Sequence, residues 1–144
     1  MGFDYRLQRV LTLHENEKQQ LELAYQTLYE KLEEQGKRLI EVIEKKEALV
    51  LALHQASQNK MTAHAIHDRL KFIDALGKVI ESEQIAYAQL KQRVEAFQVT
   101  LQEKAIEVKK HEKLREKAYQ THLVQEKRFE LKRMDEQAQK RAHL

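Results

Sequence analysis

The chain has 144 residues, of which 34% are charged, three are glycine and none is proline or cysteine. The lack of cysteine excludes disulfides, thiolate metal ligands and a cysteine nucleophile, and the lack of proline disfavours a fold with many tight turns. No apolar stretch reaches the roughly 20 residues that span a bilayer. We expect neither a secretory signal nor N-myristoylation. The composition predicts long, exposed helices in one small domain.

The formal net charge of +3 is unevenly distributed. Residues 1–72 hold 11 basic and 11 acidic side chains, whereas residues 104–144 hold 12 basic and 7 acidic ones. A basic end can bind an acidic protein, nucleic acid or an anionic membrane. Acidic residues interrupt every basic run, which favours a solvated helix face and argues against nucleic acid as a partner.

The first predicted helix runs from about Asp4, a plausible N-cap, to about Ser57, and Phe3 is placed to staple onto its first turn. Alternate steps of four and three residues from Leu7 define a seam in which ten of fourteen positions are apolar. The seam positions are Leu7, Leu11, His14, Lys18, Leu21, Tyr25, Leu28, Leu32, Gln35, Leu39, Val42, Lys46, Leu49 and Leu53. This 3.5-residue repeat predicts a left-handed coiled coil.

A bend is predicted at about residues 58–69, where the seam fails. Asn59 is the best candidate for a left-handed stop, and Thr62 is a good N-cap. We interpret residues 63–70 as a short helical turn region.

A second helix is predicted from about Leu70 to about Lys140, with nine apolar residues among eleven seam positions. Those positions are Ile73, Leu76, Ile80, Glu83, Tyr87, Leu90, Val94, Phe97, Leu101, Lys104 and Val108. The apolar residues change phase between His111 and His122, which indicates a boundary between a paired and an unpaired part.

Two heptad helices with a short connection predict an all-α, antiparallel coiled-coil hairpin, with residues 1–144 as a single domain. Folding about residue 63 places Leu53 near Ile73 and Leu7 near residue 119. The second helix then overhangs from about Thr121, and a projecting helix with unpaired apolar residues needs another protein. These residues are Leu123, Val124, Phe129, Leu131, Met134 and Ala138.

The sequence offers no phosphate-binding loop or nucleophile motif, so we predict no catalytic, cofactor-binding or metal residue and no enzyme activity. His64 and His67 lie one turn apart near the bend and could share a metal, but no third ligand clusters with them. Five polar seam residues are expected to fix register and partner number, with Lys46 and Glu83 as a candidate pair. They are Lys18, Gln35, Lys46, Glu83 and Lys104.

Five apolar residues near the bend flank the seams and should be partly buried. They either widen the core around the loop or form a docking surface for a partner. These residues are Ile43, Val50, Phe72, Val79 and Ile85.

Three segments, each at the expected position in the chain, resemble the FliJ family, the small coiled-coil component of the bacterial flagellar type III export apparatus. They look like its Gram-positive members. They are residues 3–13 (FDYRLQRVLTL) with the following residues 15–18 (ENEK), residues 106–117 (IEVKKHEKLREK) and residues 132–136 (KRMDE). The resemblance covers the whole chain, including its length and the position of the bend.

The resemblance implies a fold like the central stalk of rotary ATPases, in a cytoplasmic protein that works at the inner face of the membrane only through its partners. It implies that the protein couples a hexameric export ATPase to the cytoplasmic domain of an export gate and contacts export chaperones, without a cofactor. A structural tether, or the equivalent stalk of a virulence-type secretion system, remains the alternative.

Two sets of residues are expected to bind these partners. The bend patch, expected to bind the gate, consists of Val42, Leu49, Phe72, Leu76 and Val79. The rod-end set, expected to bind the ATPase ring, consists of Leu7, Val10, Leu11, Arg128, Phe129, Leu131, Arg133 and Met134.

Overall fold

The computed structural model describes residues 2–143, and these form two long α-helices with no strand among them. Helix α1 spans Gln8–Ser57 and helix α2 spans Ala63–Ala142. The all-α prediction is therefore confirmed. Within the described residues, neither helix has a stretch long and apolar enough to cross a membrane.

Helix α1 begins four residues later than predicted. The Gln8 N–H donates to the Tyr5 carbonyl at 3.1 Å, and the Leu11 N–H donates to the Leu7 carbonyl at 3.1 Å. This second bond is the first one with the i to i−4 spacing of an α-helix, so Leu7 occupies the N-cap position. Our assignment of Asp4 as the N-cap was therefore wrong.

The loop at residues 58–62 is shorter than the predicted bend. Thr62 caps α2 as predicted, because its hydroxyl oxygen accepts the Ala65 N–H at 3.2 Å. The predicted left-handed stop was wrong by one residue, since Lys60 takes the positive φ of 47°. The Asn59 N–H bonds back to the Ala56 carbonyl at 3.0 Å, which keeps Asn59 in the turn that ends α1. Residues 63–70, predicted as a separate helical turn region, form the first two turns of α2.

The chain divides into two compact units, and both contain parts of each helix. One unit is Glu22–Thr100, and the other combines Met1–Leu21 with Leu101–Leu144. Within each unit the two helical segments run antiparallel, as their cross-helix contacts show.

In the Glu22–Thr100 unit, the Tyr25 and Phe97 rings stack with centroids 6.3 Å apart. The Tyr87 ring lies over Gly36, where an added Cβ would be 3.4 Å from Cε2 of that ring. Likewise, a Cβ at Gly77 would be 3.4 Å from the Lys46 ammonium. Because folding about residue 63 would have placed Lys46 near residue 80, the register differs from the predicted one by about one helical turn. The early start of α2 accounts for this difference.

In each unit the core is a stripe along the predicted seams. The four buried hydrophobic residues of the described chain all occupy predicted seam positions, and they are Leu11, Leu53, Val94 and Val108. The other seam positions are partly buried, except Leu7, which is 43% exposed. The heptad pattern therefore identified the packed face of both helices, including its polar members.

The buried stripe of α2 continues past Val108 without a change of phase. His111, Ala118 and His122 are partly buried at the spacing that the seam predicts. Only the apolar residues change phase, as the exposed Leu123 and Val124 show. All residues from Lys127 to His143, here called the terminal segment, are exposed.

The left-handed backbone at Lys60 generates a prediction about stability. A residue with a Cβ pays about 1 kcal/mol or more in this conformation, and glycine does not. Glycine also raises the conformational entropy of the unfolded chain, which offsets part of this gain. We therefore expect Lys60→Gly to raise the free energy of unfolding by about 0.5–1 kcal/mol. Urea titration followed by circular dichroism measures this change.

The matched control is Asn59→Gly, one residue earlier in the same loop. Because Asn59 does not have a positive φ, glycine there relieves no strain and should leave stability unchanged or lower it. Equal stabilisation by both substitutions would contradict the assignment of strain to Lys60.

Candidate functional site

The N-terminal residues pack onto α2 through an aromatic group. The Phe3 ring lies 5.2 Å from the Tyr119 ring and 5.3 Å from the His122 ring, and the Arg115 guanidinium lies 5.7 Å above it. We had expected Phe3 to pack on the first turn of its own helix, and that expectation was wrong. Phe3 instead fixes the start of the chain against α2 near the end of the paired stripe.

A polar cluster joins the helices within the same unit. It consists of His14 and Glu17 on α1 and Lys104, Glu107 and His111 on α2. The Lys104 ammonium lies 2.5 Å from a Glu17 carboxylate oxygen and 2.8 Å from His14 Nδ1. The His14 and His111 rings stack with centroids 4.4 Å apart and an angle of 16° between their planes.

The ion pair at the centre of this cluster shifts both of its groups. The hydrogen bond from Lys104 holds the pKa of Glu17 below its ordinary value, against a smaller effect of burial. The hydrogen bond to Glu17 raises the pKa of Lys104, again against burial, and Glu107 adds to this shift. The Lys104 side chain is only 11% exposed, so the pair forms part of the packed stripe.

Sequence reasoning placed Lys104 and His14 in the seams but did not bring them together. Lys104 was interpreted as a residue that fixes the register. The predicted alignment of α1 with α2 was wrong by about one turn, so it did not place Lys104 beside His14 and Glu17. The sequence feature that could have indicated this cluster is that both helices carry polar seam residues near the end of the predicted hairpin opposite the bend.

A second polar contact lies in the Glu22–Thr100 unit. The Gln35 side-chain amide donates to the Glu83 carboxylate and, at 3.4 Å, to the Glu83 carbonyl. The predicted pairing of Glu83 with Lys46 was wrong, because the shifted register places Lys46 beside Gly77 instead. His64 bonds to Asp68 at 3.4 Å, and the described residues give it no three-ligand cluster with His67.

The bend patch separates into supporting and exposed residues. Val42, Leu49 and Leu76 are partly buried in the stripe, whereas Phe72 is 52% and Val79 is 44% exposed. A groove of about 240 Å³ runs beside Phe72 between the helices. Its lining consists of Leu49, Ala52, Asp68, Arg69, Phe72 and Ile73. Of the apolar residues flanking the seams near the bend, only Ile43 is partly buried.

The rod-end set is divided as well. Leu11 is 3% exposed and belongs to the core, so we leave it out of any interface, whereas Leu7 and Val10 are 43% and 38% exposed. The other members lie on the exposed terminal segment. Gln8, next to Leu7, accepts a hydrogen bond from Arg115, which lies thirteen residues before Arg128.

The terminal segment has two apolar faces rather than one stripe. At about 100° per residue, Leu131 and Met134 are about 60° apart around the helix, and Val124 falls near Leu131. Phe129 is about 160° from Leu131. It shares its own face with Lys132, Arg133 and Glu136, which surround a shallow depression beside it.

The shifted pKa values in the polar cluster predict how the stability of the chain depends on pH. Because the pKa of Glu17 is depressed in the folded chain, its contribution is present above about 4.5, the ordinary glutamate value, and is lost as the pH falls through the folded value. We expect Glu17→Gln to make the loss of thermal stability between about pH 7 and about pH 3 less steep. Circular-dichroism melts across that range measure this slope.

The control is Glu30→Gln, which removes an exposed glutamate of α1. Its melting temperatures should follow those of the unsubstituted chain at every pH. An unchanged slope for Glu17→Gln would show that the ion pair with Lys104 does not contribute to acid stability.

Comparison with known proteins places this fold in a family. A family model described as "Flagellar FliJ protein" matches residues 3–144. The flagellar FliJ protein of Bacillus subtilis (strain 168) is 32% identical over 136 residues, which cover 94% of this chain and 92% of that protein. No solved structure matches the chain. The resemblance noted in the sequence is confirmed, and the chain belongs to the FliJ family of flagellar export proteins.

Proposed function

We propose that this chain is a non-catalytic stalk and escort that couples the hexameric export ATPase to the cytoplasmic domain of the export gate. It works in the cytoplasm, reaches the inner face of the membrane only through these partners, and contacts export chaperones. Family membership supports a place in flagellar export. The coupling role rests on the exposed surfaces at the two ends of the helices.

The observation that carries the proposal is the exposed terminal segment of α2. Phe129, Leu131 and Met134 are 59%, 55% and 64% exposed, and no described residue of α1 covers them. Large apolar side chains grouped on an unpaired helix are typical of a surface that binds another protein. Binding in the ATPase ring would bury them.

The charges of the terminal segment favour a partner with acidic patches. Arg128 lies within about 60° of Leu131 around the helix, while Arg133 lies one turn from Phe129. Each apolar face therefore has a nearby guanidinium. We expect the cations to speed the encounter with an acidic ring and the apolar side chains to slow dissociation.

The two apolar faces would contact different surfaces. Because Phe129 and Leu131 point to nearly opposite sides, one flat partner surface cannot cover both. A ring that surrounds the helix can. This geometry favours insertion of the terminal segment into a ring over docking on its outer surface.

The exposed part of the bend patch is the proposed gate contact. Phe72 stands beside the groove between the helices and offers an aromatic side chain of the kind that often dominates interfaces. Leu49 and Ile73 form part of the groove lining. A partner side chain in this groove would contact Phe72 and apolar residues of both helices at once.

We expect truncation after Glu126 to leave a folded hairpin that no longer stimulates ATP hydrolysis. This cut keeps Tyr119 and His122, which hold Phe3, and removes only the terminal segment. The measurement is the steady-state ATPase activity of the cognate hexamer with full-length or truncated chain. Circular dichroism checks that the remaining helices are retained.

Two single substitutions separate the faces of the terminal segment. If a ring surrounds the helix, Phe129→Ala and Leu131→Ala should each reduce stimulation. If only one reduces it, the partner binds one side, and insertion into a ring is wrong. Equal stimulation by the truncated and full-length chains would remove the coupling role and favour a structural tether.

Phe72→Ala should weaken binding to the gate domain about tenfold, which corresponds to about 1.4 kcal/mol of lost contact. Because Phe72 is 52% exposed, the thermal midpoint should change little. Calorimetric titration of the isolated gate domain measures the affinity. The control is Leu23→Ala, which truncates a side chain that is 65% exposed and lies far along α1 from the bend.

Equal affinities of the Phe72→Ala and Leu23→Ala chains would show that the groove is not the gate contact. A large drop in the thermal midpoint of Phe72→Ala would instead show that Phe72 belongs to the core around the loop.

A further inference from the structure

Three groups that commonly bind metals converge within the polar cluster. One ligand atom from each of His14, Glu107 and His111 lies within 4.8 Å of the other two. His14 belongs to α1, while Glu107 and His111 lie one turn apart on α2. The two histidines are partly buried, while the Glu107 side chain is about half exposed. The set therefore joins the two helices and is open to solvent on one side.

The Lys104 ammonium shows that these groups can surround a cation. It lies 2.8 Å from His14 Nδ1, 2.5 Å from Glu17 Oε2 and 3.5 Å from Glu107 Oε2. One imidazole nitrogen and two carboxylates therefore already face a positive charge. With neutral histidines, the five side chains carry a net charge of −1, which leaves an unbalanced negative charge.

The position of His14 Nδ1 is a second reason to expect a bound cation in this cluster. This atom lies 3.2 Å from Glu107 Oε1 as well as 2.8 Å from the Lys104 ammonium. A neutral Nδ1 either accepts a hydrogen bond from Lys104 or donates one to Glu107, and it cannot do both. A metal ion bound to Nδ1 and to the Glu107 oxygen would satisfy both atoms.

We propose that His14, His111 and Glu107 form a site for a divalent transition metal of the zinc class, which replaces the Lys104 ammonium. Two imidazoles and one carboxylate are a ligand set that zinc accepts in a tetrahedral arrangement. Water or Glu17, whose Oε2 lies 3.8 Å from His14 Nδ1, completes the four ligands. Magnesium and calcium prefer oxygen ligands and would bind weakly.

Zinc binding needs rotation of the ligand side chains, and the Lys104 ammonium has to leave its position between His14 and Glu17. Zinc lies about 2.0–2.2 Å from nitrogen and oxygen ligands, so tetrahedral ligand atoms are about 3.3 Å apart. The present separations of up to 4.8 Å have to close by about 1.5 Å, which side-chain rotation can supply. The Glu107 side chain is 46% exposed and has room for this rotation.

Metal binding would hold α1 to α2 within this unit. The ligands come from both helices, so an ion bound only in the folded chain stabilises their pairing by mass action. The exposed terminal segment begins sixteen residues after His111 on the same helix. The occupied site would therefore fix the base from which that segment extends.

The test is calorimetric titration of the metal-free full-length chain with Zn²⁺. We expect one ion per chain, with at least tenfold weaker binding after His14→Gln or His111→Gln. Lys104→Met should strengthen binding, because it removes the competing cation and leaves the ligands in place. Circular dichroism without metal checks that each variant is folded.

The matched controls are His64→Gln and His122→Gln. Each removes a histidine that bonds to a carboxylate four residues further on, at 3.4 Å for Asp68 and 3.1 Å for Glu126. Neither belongs to a three-ligand cluster in the described part of the chain. Both controls should bind Zn²⁺ as the unsubstituted chain does.

A spectroscopic measurement covers the case in which a variant does not fold. Co²⁺ added to the unsubstituted chain should give the intense visible absorption of a tetrahedral ion, and Zn²⁺ should abolish it. A spectrum that remains that of hydrated Co²⁺ would overturn the proposal. Zn²⁺ affinity that is equal in the His14→Gln, His111→Gln and His64→Gln chains would also overturn it.

Discussion

Within each compact unit, stability comes from a narrow stripe of side chains between its segments of α1 and α2. Only Leu11, Leu53, Val94 and Val108 are buried in these stripes, and the remaining seam residues are partly exposed. Each buried aliphatic side chain contributes about 1.5–3 kcal/mol by leaving water. No second layer exists among the described residues to compensate for a gap. Each compact unit depends on the continuity of its own stripe, and the exposed residues proposed to bind partners, Phe72 and those of the terminal segment, lie outside it.

The polar residues in the stripe explain how two long helices keep one alignment. Leucines at every position would pack nearly as well after a shift of one heptad. A shift would instead separate Gln35 from Glu83 and Lys104 from Glu17, leaving partly buried polar groups without these bonds. Such groups cost more when unpaired than they contribute when paired. The aromatic contact of Tyr87 with Gly36 adds a steric restriction.

The sequence predicted the packed face far better than it predicted the details at the ends. The 3.5-residue repeat identified all four buried residues, because burial on a long helix follows directly from periodicity. Asp4 was a poor guide to the start of α1, because Phe3 packs on α2 and holds residues 2–5 outside the helix. The left-handed residue was missed because Lys60, with no special preference for that conformation, is forced into it by the short loop.

The sequence predicts which side chains of a candidate site are exposed, but it does not predict contacts that depend on the alignment of α1 with α2. Phe72, Leu131 and Met134 are exposed, as follows from their positions outside the seam or beyond its partner, and their role as binding residues stays a prediction. The polar cluster was not identified, because its residues lie about 90 positions apart in sequence and meet only in the observed register. An error of one turn moves His14 away from Lys104 and removes the convergence.

The length of α2 also has a thermodynamic consequence. An isolated helix of the size of the terminal segment is only marginally stable in water, because its first turn is costly to form. Here that first turn is already provided by the paired part of α2, and the segment only has to propagate from it. Its helix content can then vary with temperature and charge while the paired region stays folded. A ring that closes around the segment would select its helical form from this equilibrium, and the entropy lost in ordering the last turns would lower the affinity of the complex.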